Sequence, residues 1–168
     1  MSVYAYDVQG QLLTYTNTLN RSWSFGYDAA GRLTRVDDPS GDRASYAHDL
    51  LGNVTRVEYS AGAAPAVFWE DSAFDALGRL LRTIRGNGQT WTYSHDVEDN
   101  LATIADPLTA VETNGFDALN RLVSTVDRGA FTTTKAYNDA DRLTGYTDPR
   151  SLTTAFTYQG ILNDNAAL

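Results

Sequence analysis

The chain has 168 residues, carries a formal net charge of −8 at pH 7 and contains no cysteine. The excess of carboxylates argues against a basic nucleic-acid surface, and the lack of cysteine excludes disulfides and thiolate metal sites. No apolar run approaches the roughly 20 residues that a membrane-spanning helix needs. The first residues lack the charged and apolar regions of a signal peptide, and we expect the chain to be a piece of a longer array.

One seven-residue stretch, Tyr27–Leu33, gives the chain its organisation. It runs aromatic, Asp, two small residues, Gly, Arg, Leu, and it returns in whole or in part along the sequence. Successive starts lie 21 residues apart, with one interval of 26 between His48 and Phe74. A fixed period predicts an array of one supersecondary unit. The predicted array covers residues 1–160, with copies starting near 6, 27, 48, 74, 95, 116 and 137, and residues 161–168 are predicted to form a disordered or tag-like tail.

Each copy predicts a strand, a turn, a second strand and a second turn. In the clearest copy the residues leading to Tyr27 alternate between aromatic and small or polar, which is typical of a strand with one buried face. Asp28 and Gly31 then suit the first and fourth positions of a type I turn. Residues 32–36 predict the second strand, and the Asp, Pro and Gly within 37–41 predict the second turn. Seven copies give about 14 strands and no long helix.

Later copies depart from this pattern in three ways. The third, 48–73, holds five extra residues, which predict a longer loop around 60–65, at its second turn. Thr83-Ile84 and Thr125-Val126 place the apolar residue one position late, which predicts a β-bulge in each of those copies. In the copies starting at 95 and 137 an Asp replaces the turn Gly, and Asp tolerates the left-handed backbone that the turn requires.

The likeness of successive hairpins predicts the arrangement of the whole. Each hairpin adds a similar increment of twist and bend, and wide twisted sheets do not stay flat. We therefore expect an all-β fold, in which tandem 21-residue hairpins form one long, curved, antiparallel meandering sheet.

The repeated motif also resembles a known family. Tyr27-Asp28-x-x-Gly31-Arg32-Leu33, with its near copies between residues 6 and 158, is similar to the tyrosine-aspartate (YD) repeats of the rearrangement-hotspot (Rhs) proteins. Similar arrays occur in bacterial polymorphic toxins, in the BC component of insecticidal toxin complexes, in wall-associated proteins and in teneurins. The resemblance implies a spiral shell of β-hairpins around a cavity, which in the toxins holds an effector. The family's aspartyl self-cleavage region has no counterpart in this sequence, so self-cleavage is not implied.

The residues singled out by the motif are predicted to be structural, with no catalytic, cofactor or metal role. The aspartates stand one per copy and roughly 10 Å apart, which favours turn capping over paired catalysis or calcium binding. We expect the arginines to pair with carboxylates or to stack on a neighbouring aromatic rather than to bind anions. His48 and His95 occupy the aromatic position and lack partners for metal binding or base catalysis. The motif residues are Tyr6, Asp7, Tyr27, Asp28, Gly31, Arg32, Leu33, His48, Asp49, Phe74, Asp75, Gly78, Arg79, Leu80, His95, Asp96, Phe116, Asp117, Arg121, Leu122, Tyr137, Arg142 and Leu143.

Two functions from different classes fit the sequence. The first is a structural one: a fragment of an Rhs-type shell that encapsulates a toxin or effector, secreted or at the cell surface as part of a larger bacterial protein. Its partners would be the remainder of the parent chain and the enclosed effector, and its open strand edges would pair with a second copy. The alternative is a carbohydrate-binding or adhesion module that uses Trp23, Trp69 and Trp91 with the tyrosines. Quenching of tryptophan fluorescence by glycans would favour the alternative.

Overall fold

The computed structural model describes residues 1–62 and 64–158. These residues form fifteen β-strands and no helix, and the predicted tail at 161–168 lies outside the described residues. The strands are β1 (Val3–Tyr6), β2 (Leu12–Thr16), β3 (Ser22–Tyr27), β4 (Leu33–Asp37), β5 (Arg43–His48), β6 (Val54–Ser60), β7 (Ala66–Phe74), β8 (Leu80–Arg85), β9 (Thr90–His95), β10 (Leu101–Ala105), β11 (Val111–Phe116), β12 (Leu122–Val126), β13 (Thr132–Tyr137), β14 (Leu143–Thr147) and β15 (Thr153–Ala155).

The strand order is the chain order, as the prediction of an antiparallel meander of hairpins requires, and that prediction is confirmed. The chain divides into two compact units, Met1–Tyr93 and Ser94–Leu168. Within each unit every ladder is antiparallel, and a strand contacts only the strands before and after it. The structure has fifteen strands instead of about 14, because an array of turns needs one more strand than it has turns.

A single layer of this kind has almost no interior. Ala44 and Thr83, each 8% exposed, are the only buried side chains that the described part of the chain contains. Most strand residues on both faces are half-buried, as in β12, where all five positions fall in this class. Stability must therefore come from the backbone ladders, from cross-strand pairs and from the turns.

The predicted long loop around 60–65 is wrong. The connection between β6 and β7 spans residues 61–65, the same length as the connection 38–42 between β4 and β5. The additional residues lengthen the strands: β6 has seven residues where β4 has five, and β7 has nine where β5 has six. Tyr59 lies opposite Phe68 and Ser60 opposite Ala66, with Val67 as a bulge residue between them, so the extra residues continue the ladder instead of forming a loop.

The predicted bulges at Thr83-Ile84 and Thr125-Val126 are also wrong, since both segments pair in regular register on both sides. Ile84 simply lies on the opposite face from Thr83, and a single-layer sheet accepts apolar side chains on either face. Bulges occur instead beside the first turn of the copies, and one further bulge lies at Val67, beside the second turn of the copy starting at 48. In the copy starting at 27, Gly26 lies opposite Arg35 and Tyr27 opposite Leu33, which leaves Thr34 as the additional residue.

The fourth turn residue has a left-handed backbone whatever its type. Gly31 and Gly78 have φ values of 81° and 78°, and Asn120, Ala130 and Asp141 have values of 61°, 62° and 58°. The backbone geometry of the turn therefore does not depend on glycine, but a residue with a Cβ atom adopts it at a cost.

Replacing this glycine should reveal that cost. We expect Gly31→Ala to reduce the free energy of unfolding by about 1 kcal/mol, since alanine loses that much in a left-handed backbone. The added Cβ atom would also lie 2.9 Å from Gln11 Nε2, the end of a flexible side chain that can move aside. Gly31→Asn should cost less, because asparagine tolerates this region. The control is Gly145→Ala in β14, where an added Cβ atom would meet Ala136 at an ordinary 3.5 Å and φ is not left-handed. Urea unfolding measures all three, and an equal loss in Gly31→Ala and Gly145→Ala would contradict the argument.

Candidate functional site

The turn aspartates bind the backbone of their own turns. Asp28 Oδ1 accepts hydrogen bonds from the main-chain N–H of Ala30 and Arg32, both at 2.9 Å. The N–H of Gly31 donates to the Asp28 carbonyl at 3.0 Å, which places Asp28 first and Gly31 fourth in the turn. The same side-chain pattern is formed at Asp7, Asp49, Asp75, Asp96, Asp117 and Asn138.

Sequence reasoning missed that the second turns are built in the same way. Asn17 Oδ1 accepts from the N–H groups of Leu19 and Arg21 at 2.9 and 3.0 Å. The equivalent bonds form at Asp38, Asp106, Asp127 and Asp148. A signal for this was present, because Asx residues at 7, 17, 28, 38 and 49 alternate in steps of 10 and 11. Five copies therefore contain two similar half-repeats, whereas the second turn of the copy starting at 74 begins at Arg85, which has no side-chain oxygen to accept these bonds.

The motif arginine joins its own turn to the turn of the following copy. Arg121 Nε donates to Asp117 Oδ2 at 2.8 Å, within the turn. Arg121 Nη1 donates to the carbonyl of Asn138 at 2.9 Å and to Asp141 Oδ1 at 2.8 Å, both in the following copy. The guanidinium carbon lies 5.0 Å from the ring centroid of Tyr137. One side chain thus binds a carboxylate, a carbonyl and an aromatic face from two copies. We call this contact between the motif arginine of one copy and the turn of the following copy a joint.

Other copies form parts of the same joint. Arg32 donates to Asp28 Oδ2 and to the carbonyl of Asp49, one copy later. Arg79 pairs with Asp75 Oδ2 at 2.6 Å. Arg142, whose turn has Asn138 in place of Asp, stacks over the Tyr158 ring at 5.3 Å.

The aromatic residue of each joint also contacts the preceding copy. The hydroxyl of Tyr27 donates to the carbonyl of Leu12 at 3.1 Å, and the hydroxyl of Tyr137 donates to that of Leu122 at 3.2 Å. The aromatic also lies opposite the motif leucine of its own copy. These pairs are Tyr27 with Leu33, Phe74 with Leu80, Phe116 with Leu122 and Tyr137 with Leu143, and Tyr6 lies opposite Leu12.

The two histidine copies share a second change that sequence reasoning did not use. Where the aromatic is His48 or His95, the motif arginine is replaced by Asn53 or Asn100. Each asparagine donates its side-chain N–H to the turn aspartate, at 2.9 Å for Asp49 and 3.0 Å for Asp96. The Nδ1 atoms of both histidines are buried without a hydrogen-bond partner among the described residues. The asparagine amide thus donates to the aspartate of its own turn, as the motif arginine does in other copies.

Several turn carboxylates are electrostatically stabilised. The main-chain N–H and the guanidinium of Arg32 hold the pKa of Asp28 below its ordinary value of 3.8, against an opposing effect of desolvation. The same cause lowers the pKa of Asp75 and of Asp117. For three further aspartates, a side-chain hydrogen bond is the largest cause of a lowered pKa. The donor is Arg43 for Asp37, Asn53 for Asp49 and Arg150 for Asp148. Asp117 and then Asp141 raise the pKa of Arg121.

The aromatic side chains considered for sugar binding contact other residues of the sheet. Tyr4, Tyr15 and Trp23 stack in a row with centroid distances of 5.0 and 5.3 Å. The guanidinium of Arg56 covers Trp69 at 5.0 Å, and Arg56 also pairs with Asp71. These ring faces are used in cross-strand packing.

Within the described ranges, no group of three or more His, Cys, Asp or Glu side chains is placed to hold a metal ion. The described residues also include no helix of the length and apolarity needed to cross a bilayer.

Comparisons with known proteins agree with this geometry. In the crystal structure of TcdB2-TccC3-Cdc42, a chain of similar fold matches 86% of this chain with a TM-score of 0.71 and 17% identity. In that of TcdB2-TccC3-TEV, the match covers 92% of this chain with a TM-score of 0.70 and 17% identity. This chain spans only 9% and 10% of the length of those two chains. No curated protein matches the sequence. The RHS Repeat family model matches residues 6–43, 27–64, 74–111 and 116–153, and the chain therefore belongs to the RHS repeat family.

Proposed function

We propose that this chain is a segment of the wall of an Rhs-type shell, which encloses a toxin or effector polypeptide. The observation that carries the proposal is the single-layer arrangement, in which each described strand contacts only its sequence neighbours and almost none of the described side chains is buried. Such a sheet has no enclosed core, but its continuous backbone ladders form a barrier. The action of the wall is steric, and none of its residues needs to react.

Two further features support a role within a larger protein. Apolar side chains at the tips of the first turns are highly exposed, with Val8 at 96%, Leu50 at 103% and Val97 at 92%. In the proposed shell these turn tips face another surface of the larger protein. The fold is also that of segments in TcdB2-TccC3 structures, of which this chain spans about a tenth. The remainder of a longer chain would supply the covering surface. As part of such a toxin, this chain would lie outside the bacterial cell.

The proposal is tested on the complete gene product that contains these residues. Electron cryo-microscopy should show residues 1–158 as part of a curved wall around an enclosed volume that contains polypeptide. Limited proteolysis of the unaltered protein should leave that polypeptide intact. In the Thr125→Pro variant, which loses a ladder hydrogen bond in a central strand, the polypeptide should be cleaved. Leu119→Ser, on an exposed turn tip, is the control and should preserve protection. An array that packs against a solid domain, or an unprotected effector in the unaltered protein, would overturn the proposal.

The 168-residue chain on its own should associate through the β1 edge. β1 pairs only with β2 among the described strands, and its four residues are exposed. An unpaired edge is a template for pairing with another strand, and a lysine on that edge disfavours it. We expect light scattering to show a molar mass that rises with concentration, and Val3→Lys to reduce the rise. A constant monomer mass over a wide concentration range would contradict this.

A further inference from the structure

One cleft in the second unit corresponds to a joint from which the arginine is missing. The cleft has a volume of about 260 Å³ and lies between the turn 96–100 and the turn 117–121. Asp96, Glu98, Asn100, Phe116, Asp117 and Asn120 line it.

The lining of this cleft repeats the surroundings of the Arg121 guanidinium. Arg121 and four residues around its guanidinium stand 21 residues after five of the cleft residues. The correspondence runs from Asp96 to Asp117, from Asn100 to Arg121, from Phe116 to Tyr137, from Asp117 to Asn138 and from Asn120 to Asp141. In the later copy these positions supply a carboxylate at 2.8 Å, an aromatic face at 5.0 Å, a carbonyl at 2.9 Å and a second carboxylate at 2.8 Å.

Asn100 fills only part of the corresponding space. Its amide donates to Asp96 Oδ2 at 3.0 Å and to Asn120 Oδ1 at 3.1 Å. An asparagine side chain ends well short of the position that a guanidinium reaches, and it carries no positive charge of its own. Phe116 lines the cleft at the position that corresponds to the stacking ring of Tyr137. The same chain thus shows both the occupied and the incomplete form of one binding arrangement.

We propose that this cleft binds the guanidinium group of an arginine side chain from another polypeptide segment. The planar, charged group matches a carboxylate, an amide or carbonyl oxygen and a ring face together, as it does at Arg121. A lysine ammonium presents its charge at one point and cannot make parallel hydrogen bonds while stacking. The site does not depend on the proposed shell function, because it needs only the joint between two copies.

The test uses the full ¹⁵N-labelled chain and a blocked arginine, N-acetyl-arginine methylamide, followed by NMR. The side-chain amide of Asn100 and the backbone amides of Ala118 and Asn120 should shift and saturate, with a Kd on the order of 1–20 mM for one small group. Blocked lysine should bind about five- to tenfold more weakly, and blocked citrulline, which is neutral with nearly the same shape, should cause no saturable shift. Absence of saturation with arginine, or equal affinity for citrulline, would overturn the proposal.

Two variants locate the binding. Asn100→Arg places an internal guanidinium in the cleft and should abolish the shifts while the spectrum stays dispersed. Arg121→Asn creates the matching cleft one copy later, and blocked arginine should then shift the amides of Asn138 and Asp141 as well. If Asn100→Arg is folded and still binds blocked arginine with unchanged affinity, the cleft is not the site. If Asn100→Arg is not folded, the Arg121→Asn result decides, and no new shifts at 138–141 would overturn the proposal.

Discussion

Lowering the pH below about 4 should destabilise this protein strongly, because the pKa values of six aspartates fall below their ordinary value of 3.8 in the folded state. A carboxylate with a lowered folded-state pKa binds fewer protons than it does in the unfolded chain. Its stabilising contribution is complete above the unfolded value and is lost as the pH falls through the folded value. Six such groups, distributed over both units, make this the largest collective effect that we expect.

The measurement is urea unfolding followed by tryptophan fluorescence at several pH values between 7 and 2.5. The free energy of unfolding should be nearly constant above about pH 5 and should decrease steeply below the ordinary value of 3.8. The net charge of −8 acts in the opposite direction, since protonation first relieves repulsion between carboxylates. A protein that is more stable at pH 3 than at pH 7 would show that repulsion outweighs the turn hydrogen bonds.

A variant with asparagine at the six positions separates the two effects. At the five turn positions asparagine keeps the side-chain oxygen that accepts the turn hydrogen bonds, as Asn17 and Asn138 do in this chain, but it does not titrate. Asp37, at the end of β4, instead accepts from Ser24 and Arg43, and an asparagine there keeps an acceptor oxygen. We expect this variant to lose most of the stability change between pH 5 and pH 3. If its pH dependence equals that of the unaltered protein, other groups are responsible for the acid transition.

The sequence predicts the hairpins well because each turn carries its own chemistry. An Asp that binds two backbone N–H groups and a residue with left-handed φ determine the turn locally, so Asp28 and Gly31 indicate its place without any tertiary contact. The half-repeat at Asn17 and Asp38 escaped notice because its fourth position varies more widely, from Asn20 and Gly41 to the less expected Ala130.

Properties that depend on pairing between strands were harder to predict. The residues added before Phe74 suggested a loop, whereas they hydrogen-bond across β6 and β7 and extend both strands. The late apolar position of Ile84 suggested a bulge, because sequence reasoning assumed that one face is buried and the other exposed. The cleft beside Asn100 arises from the length of one side chain relative to the space between two copies, and no local pattern encodes that distance.

Removing one arginine should loosen two copies at once. We expect Arg121→Ala to lower the melting midpoint by about 3–6 °C, as for the loss of one multidentate contact in a domain of this size. The side chain bonds to Asp117 in its own turn and to Asn138 and Asp141 in the following one. Hydrogen exchange should accelerate in β12, β13 and β14 and remain unchanged in β2 and β3, since a repeat array transmits such a loss mainly to its neighbours.

The matched control is Arg150→Ala. Arg150 also pairs with an aspartate, Asp148 at 2.8 Å, but within its own turn and with 80% of its side chain exposed. An exposed pair of this kind contributes little, so its loss should shift the midpoint by less than about 1 °C. Arg121→Lys should recover less than half of the Arg121→Ala loss, because an ammonium cannot serve Asp117, the Asn138 carbonyl and the Tyr137 ring together. Equal effects of Arg121→Ala and Arg150→Ala would mean that bonds within each turn, and not the joints between copies, hold the array together.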